Sequence, residues 1–270
     1  MTHQPAPTAL MLLRLVKVYN QAHVPLDLIW QAVLGVTDQH QRQRISEEAY
    51  DMHCRSLRAE LVDHLALTAE RGKYVVGEGD MEVVVPGAQT GHIEEGPEFR
   101  FFLYRHWPLF DAMCFSPYVA AKLHVWQSVG TGRLRELLAK LGVPLQQCKQ
   151  TFTFMSPAVR DHFRRQIVSP MAREDYNLKG PDVSCRSFFR YNSFRNPVAA
   201  CDVVHAASAL LEQCRSRIDD MSSNSLQHVT SSRLEAFNEA YDCLGMRNED
   251  AFKQGVEAAL GLQKVTVLSR

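Results

Sequence analysis

Asp38, eleven histidines and seven cysteines are the residues of this 270-residue chain whose types could do chemistry. Asp38 follows an apolar stretch in Leu34-Gly35-Val36-Thr37-Asp38-Gln39, a common setting for a metal ligand. A hydrolytic metal centre needs several Asp and His side chains converging on its cations. The Asp-His pairs, Asp63-His64 and Asp161-His162, both fall inside predicted helices, and neither is followed by a second His. Asp38 therefore reads as a turn or capping residue. His53 and His64 share one helix without acid partners on a common face, and His106, His124 and His205 sit among apolar or aromatic neighbours, the setting of a packed histidine. Cys54, Cys114, Cys148, Cys185, Cys201, Cys214 and Cys243 show no C-x-x-C spacing, so they read as reduced thiols of an intracellular protein. Nucleophile elbow, P-loop and dinucleotide fingerprint are all missing. Gly130-Thr131-Gly132-Arg133 is too short to cradle phosphate and reads as a helix–helix turn. No catalytic residue, metal or cofactor is expected.

Two arginine clusters remain. Arg160, Arg164 and Arg165 follow one face of the helix opened by Pro157, and Arg186, Arg190 and Arg195 interleave with Phe188, Phe189, Tyr191 and Phe194. Arginine beside aromatics binds phosphate and stacks on bases. An ordinary solvated face has the same pattern. Together the clusters are the best nucleic-acid or partner patch the sequence offers.

The elements that must carry these residues are mostly helical. Ala9–Gln21 and Leu26–Leu34 are apolar on nearly every side, the second opened by Pro25 and ended by Gly35. Faces of that kind need extensive cover, so these helices are expected to be poorly covered and the chain to begin inside a larger domain. Ser46 starts a long amphipathic helix to Ala69, with Tyr50, Cys54, Leu57, Leu61 and Leu65 at spacings of three and four. Glu82–Val85 and Glu98–Tyr104 read as short antiparallel strands around a Gly- and Pro-containing loop. Ser116-Pro117, Ser156-Pro157 and Asn196-Pro197 are cap-then-proline starts; Ser116 opens a helix from Pro117 to Ser128. Leu134, Leu137, Leu138 and Leu141 form a stripe closed by Gly142. Val183–Phe194 alternates like a strand. Arg215–Ser232 is polar and reads as a mobile loop. Leu234, Phe237, Tyr241 and Leu244 mark a further helix face, and Asn248 caps a last helix bearing Phe252, Val256 and Leu260.

Composition sets outer limits. Hydrophobic residues at 46% and charged residues at 22% suit a globular protein. Thirty basic residues balance thirty acidic ones, so the chain is not a generally basic nucleic-acid binder and any DNA contact must be a local patch. The N-terminus has no signal-peptide pattern, and no apolar run approaches the roughly 18 residues of a membrane span.

Several long stretches share one resemblance. Ile29 through Gln39 ends in Gly35-Val36-Thr37-Asp38-Gln39. Leu103-Tyr104-Arg105-His106-Trp107-Pro108-Leu109-Phe110-Asp111 is followed by Tyr118-Val119-Ala120-Ala121 and Trp126, then by Gly130 through Gln150. Cys201 through Ala206 and Phe252 through Ala258 complete the order. This succession resembles the cell division control protein 45 family. The resemblance implies an α-rich α+β fold: the helical insertion of a DHH-like, RecJ-like fold with a few short antiparallel strands and its N-terminal sheet domain missing. Residues 1–40 would be terminal helices of the DHH-like domain. Residues 41–197 would be the insertion with its small β element, and residues 198–270 helices leading into a C-terminal domain, with the loop at 215–232. Asp38 resembles a degenerate fourth motif of DHH-type phosphoesterases. The implied function is that of a non-catalytic, nuclear factor of DNA replication initiation and elongation. It would be a scaffold of the replicative helicase with the minichromosome maintenance hexamer and the GINS complex, and with DNA polymerase and single-stranded DNA as further partners. A DHH-type nuclease fragment, which would need an Asp-His-His motif, and an unrelated helical adaptor are the alternatives.

Overall fold

The computed structural model describes residues 7–20, 24–71, 73–75, 82–84, 92–101, 103–169, 175–178, 183–191, 197–220, 226–245 and 249–269. The chain forms two compact units: residues 1–96 with 187–204, and residues 97–186 with 205–270.

In the first unit, α1 (Thr8–Asn20) and α3 (Glu47–Arg71) both pack on α2 (Leu26–Gln41). Helix α2 buries Ile29, Trp30, Ala32, Val33, Leu34 and Val36, so its apolar character is used on several sides at once. The helix does not stop at Gly35. A Cβ there would lie 2.9 Å from the Cβ of Ala9, so the glycine admits α1 rather than breaking α2. Helix α1 is different: Leu10 and Leu13 are buried, whereas Met11, Leu12, Leu15, Val18 and Tyr19 are exposed. The expected poor cover holds for α1 and fails for α2. Ser46 caps α3 as its type predicts, its Oγ accepting the Ala49 N–H at 3.3 Å. Tyr50, Cys54, Leu57 and Leu61 form the buried stripe of α3. Strands β1 (Lys73–Val75) and β2 (Glu82–Val84) form a two-stranded antiparallel ribbon with Tyr74 opposite Val83.

A second, three-stranded sheet has the order β3 (His92–Phe99), β4 (Ser184–Tyr191), β5 (Val198–Ala199). β4 and β5 are antiparallel, with Phe189 opposite Ala199 and Arg190 opposite Val198. The strand expected at Glu98–Tyr104 lies earlier, over the segment whose Gly and Pro suggested a loop. Its glycine has a packing reason: a Cβ on Gly96 would sit 3.0 Å from the Phe189 ring. Beyond Phe99 the backbone turns, and Leu103 takes a positive φ of 66°.

The second unit contains α4 (Leu109–Phe115), α5 (Pro117–Leu123), α6 (Ser128–Lys140), α7 (Leu145–Cys148), a 3₁₀ turn (Phe152–Phe154) and α8 (Pro157–Ile167). Most of α9 (Ala200–Asp220) and all of α10 (Leu226–Gly245) and α11 (Glu249–Leu268) complete it. Phe99, Phe101, Tyr104, Phe152 and Phe163 interlock edge to face and stacked, with centroid separations of 4.9 to 6.1 Å. Edge-to-face rings of this kind hold α8 against the turn before α4.

Several expected boundaries shift for visible reasons. The helix from Pro117 ends at Leu123, because His124 adopts a left-handed conformation. Gly130 through Arg133 lies inside α6 and is not a turn. A Cβ on Gly130 would meet the His124 carbonyl oxygen at 2.1 Å, so the backbones approach too closely for any side chain there. Ser116 makes no cap bond; its Oγ donates instead to the Arg100 carbonyl at 3.2 Å. Pro197 precedes β5, and the following helix begins at Ala200. The polar segment 215–232 is helical through Asp220 and again from Leu226, while 221–225 and Asn248 lie outside the described residues. On α10, Leu234, Phe237 and Tyr241 are exposed, and the small residues Ala236, Ala240 and Cys243 form the buried seam.

Candidate partner-binding surface

The two arginine clusters meet different fates. Helix α8 starts at Pro157 and buries Phe163 and Ile167, which fixes its outer face. An Arg160 Nη donates to the Thr153 carbonyl at 3.5 Å. The Arg164 guanidinium lies 5.5 Å over the Phe152 ring and 3.7 Å from Asp161. Arg165 is exposed, its Nε donating to the Asp161 carbonyl at 3.2 Å. The helix carries three arginines against Asp161 alone among the acids, so its outer face is cationic.

On β4 the pattern turns inward. Phe188 and Phe189 are buried, and Tyr191 stacks on His92 at 4.3 Å. Arg190 keeps only 11% of its side-chain area exposed. Its Nη2 donates to Asp27 Oδ1 at 2.6 Å while its guanidinium covers Trp30 at 5.9 Å. Phe188 and Phe189 thus serve the core, and the half-buried Tyr191 is already stacked, so the described part of β4 offers bases no free ring. Arg186 is exposed, and Arg195 and Phe194 lie outside the described residues.

Asp38 sits in the last turn of α2, where its Oδ1 accepts from Arg42 Nε at 2.6 Å, an i,i+4 pair. Among the described residues no three His, Cys, Asp or Glu side chains come together to hold a metal. His40 stacks on Tyr50 at 3.9 Å and reaches Glu47 at 3.0 Å; His106 meets Phe252 edge to face. Burial pushes the Cys54 and Cys243 thiols up to about 12 and those of Cys114 and Cys148 up to about 11. Thiols in that range stay protonated at neutral pH and are poor nucleophiles. No helix of the described residues is long and apolar enough to cross a membrane.

Two features were missed in the sequence. Glu98, buried, accepts the Phe99 N–H at 2.8 Å and pairs with Arg105. The seven-residue separation with an intervening turn hid that pair. The other is Phe154, exposed at the tip of the 3₁₀ turn. No local pattern marks it: in a 3₁₀ turn successive residues point about 120° apart, so burying Phe152 turns Phe154 away from the core.

Residues 1 through 269 match the family described as CDC45. The chain belongs to the CDC45 family. A cell division control protein 45 homolog of Dictyostelium discoideum is 28% identical over 251 residues, covering 88% of this chain and 37% of that protein. The homolog of Schizosaccharomyces pombe is 34% identical over 188 residues, covering 69% of this chain and 28% of its own. The chain thus spans about a third of the length of such relatives. The crystal structure of CDC45 from Entamoeba histolytica superposes with a TM-score of 0.69 at 21% identity, covering 97% of this chain and 45% of that one. That likeness extends the helix-rich fold with its small sheet to a solved CDC45.

Proposed function

We propose that this chain is a non-catalytic scaffold portion of a nuclear DNA replication factor, acting in initiation and elongation. The observation that carries the reading is the family match over residues 1–269. On this reading the full protein joins the minichromosome maintenance hexamer and the GINS complex in the replicative helicase, with DNA polymerase and single-stranded DNA nearby. Residues 1–40 are then terminal helices of a DHH-like domain, 41–197 its helical insertion, and 198–270 the lead into a C-terminal domain. A protein-binding role is supported by the cationic outer face of α8, since guanidinium groups pair with carboxylates in a fork geometry. A non-catalytic role is supported by the thiols that burial keeps protonated and by Asp38, whose carboxylate is engaged by Arg42.

Pull-down with purified hexamer and GINS tests the proposal. The chain should be retained, and the triple substitution R160E/R164E/R165E should reduce retention while the helical circular dichroism stays intact. Failure of both this chain and a version extended upstream to bind would sink the assignment. Incubation with single-stranded DNA and Mn²⁺ should give no cleavage; metal-dependent cleavage lost in Asp38→Ala would favour the nuclease alternative.

A further inference from the structure

The 3₁₀ turn before α8 is pinned on every side yet drives one large apolar ring into solvent. Phe152, its first residue, and Met155, just after it, are buried. The Phe154 N–H donates to the Thr151 carbonyl at 2.9 Å and the Met155 N–H to the Phe152 carbonyl at 3.3 Å. Thr153 Oγ1 donates to the Arg105 carbonyl at 3.1 Å, Arg160 donates to the Thr153 carbonyl, and Thr151 bridges to Pro108. Phe154 itself is 80% exposed. A ring whose backbone is fixed beforehand has less freedom to lose on binding, which suits an interface anchor.

Charge says what kind of partner fits. Arg164 covers the ring of Phe152, the buried first residue of the turn that ends at Phe154. Arg165 is exposed on the same helix, and Lys149 is exposed just before the turn. Asp161 is the acid of α8. We propose that Phe154, Arg164 and Arg165 form a docking site for an acidic amphipathic protein segment. The segment's apolar face covers Phe154 and its carboxylates meet the guanidinium groups. Binding of single-stranded nucleic acid is disfavoured here. It calls for successive outward rings along a basic track, whereas Phe152 is buried and Arg160 is turned onto the backbone of the turn.

This inference rests on the scaffold reading of α8 and names the chemistry of its partner. Fluorescence anisotropy on the full chain tests it with three labelled probes. One is an acidic amphipathic peptide of about 16 residues with a Leu/Phe face. The second is the same peptide with every Asp and Glu changed to Asn and Gln. The third is oligo-dT of about 20 nucleotides. The acidic peptide should bind, and Phe154→Ala and R164E/R165E should each weaken it about tenfold. Val129→Ala, a change at an exposed apolar residue of α6, should leave binding unchanged. Circular dichroism and urea midpoints should be the same for all four proteins. Lack of binding, equal binding of the neutral peptide, indifference to Phe154→Ala, or Phe154-dependent binding of oligo-dT alone would each overturn the proposal. The assay contains no helicase component. Phe154-dependent peptide binding with a failed hexamer pull-down would remove the named partners and leave the docking site standing. The converse would do the reverse.

Discussion

Arg190 on β4 and Arg164 on α8 come from similar sequence, a guanidinium a few residues from several aromatics. The tertiary structure uses them oppositely. Arg190 lies over Trp30, tied to Asp27, in a strand that buries Phe188 and Phe189. Arg164 also lies over a buried ring, but from the solvent side, on a helix with an exposed Arg165 that follows directly on the turn of the exposed Phe154. An Arg-aromatic pattern therefore specifies contact between guanidinium and ring without saying which side of that contact faces water. The anchoring of neighbouring rings decides it. Phe188 and Phe189 fill one core and draw Arg190 inward, whereas the tight 3₁₀ turn buries Phe152 and must expel Phe154.

The comparison breaks most severely at the footing of α8. Phe163 is fully buried against Phe99, Phe101 and Phe152. Phe163→Ala should destabilise the second unit by about 3–5 kcal/mol through lost burial and the cavity left behind, and peptide binding should fall with it. Chemical denaturation checks this, and a loss under about 1 kcal/mol would mean that the ring cluster does not hold α8.

A direct contrast of the two arginines should show a smaller effect. Arg190→Ala uncovers Trp30 and leaves Asp27 without its cation. It should cost about 1–2 kcal/mol, much of it from lost packing of the side-chain stem. Arg165→Ala should stay within about 0.5 kcal/mol, as an exposed substitution does. Paired urea titrations measure both, and equal costs would erase the distinction between an internal and an external arginine.

The smallest effect sharpens the contrast through pH. Burial pushes the His53 imidazole below its ordinary range, with the nearby Arg14 charge acting in the same direction. The fold therefore favours the neutral ring. The stability this gives is complete above an unfolded-state value of about 6.5 and is lost progressively as pH falls through and below it. His53→Leu should flatten part of the acid limb of melting temperature against pH. An unchanged slope would show that other groups set it.

Much of the skeleton was legible. Ser46 capped the helix it was expected to cap, and the three- and four-residue spacing from Tyr50 to Leu61 gave the buried stripe of α3. The alternation at Val183–Phe194 corresponds to β4 within a few residues. Glycines misled, because their meaning is set by what approaches them. Gly35 admits Ala9 and continues a helix, Gly96 admits Phe189 within a strand, and Gly130 admits the His124 carbonyl inside α6. On α10 the period was right and the buried side was not. Small Ala236, Ala240 and Cys243 pack in the seam, and the larger Leu234, Phe237 and Tyr241 face out. Of the candidate surface, α8 and its three arginines could be read directly, because a proline start and a four-residue apolar spacing are local signals. Phe154 could not, because its exposure depends on Arg105 and Pro108, distant in the chain, fixing the turn through Thr153 and Thr151.

By itself the sequence determined the helix-dominated class, the family, and which residue types could meet a partner. These follow from composition, periodicity and the order of local words. Tertiary structure alone decided which aromatic faces water, which arginine is consumed by the core, and which glycine ends a helix or runs through it. Each of those outcomes turns on a neighbour brought close by folding, at distances in sequence that no local pattern records.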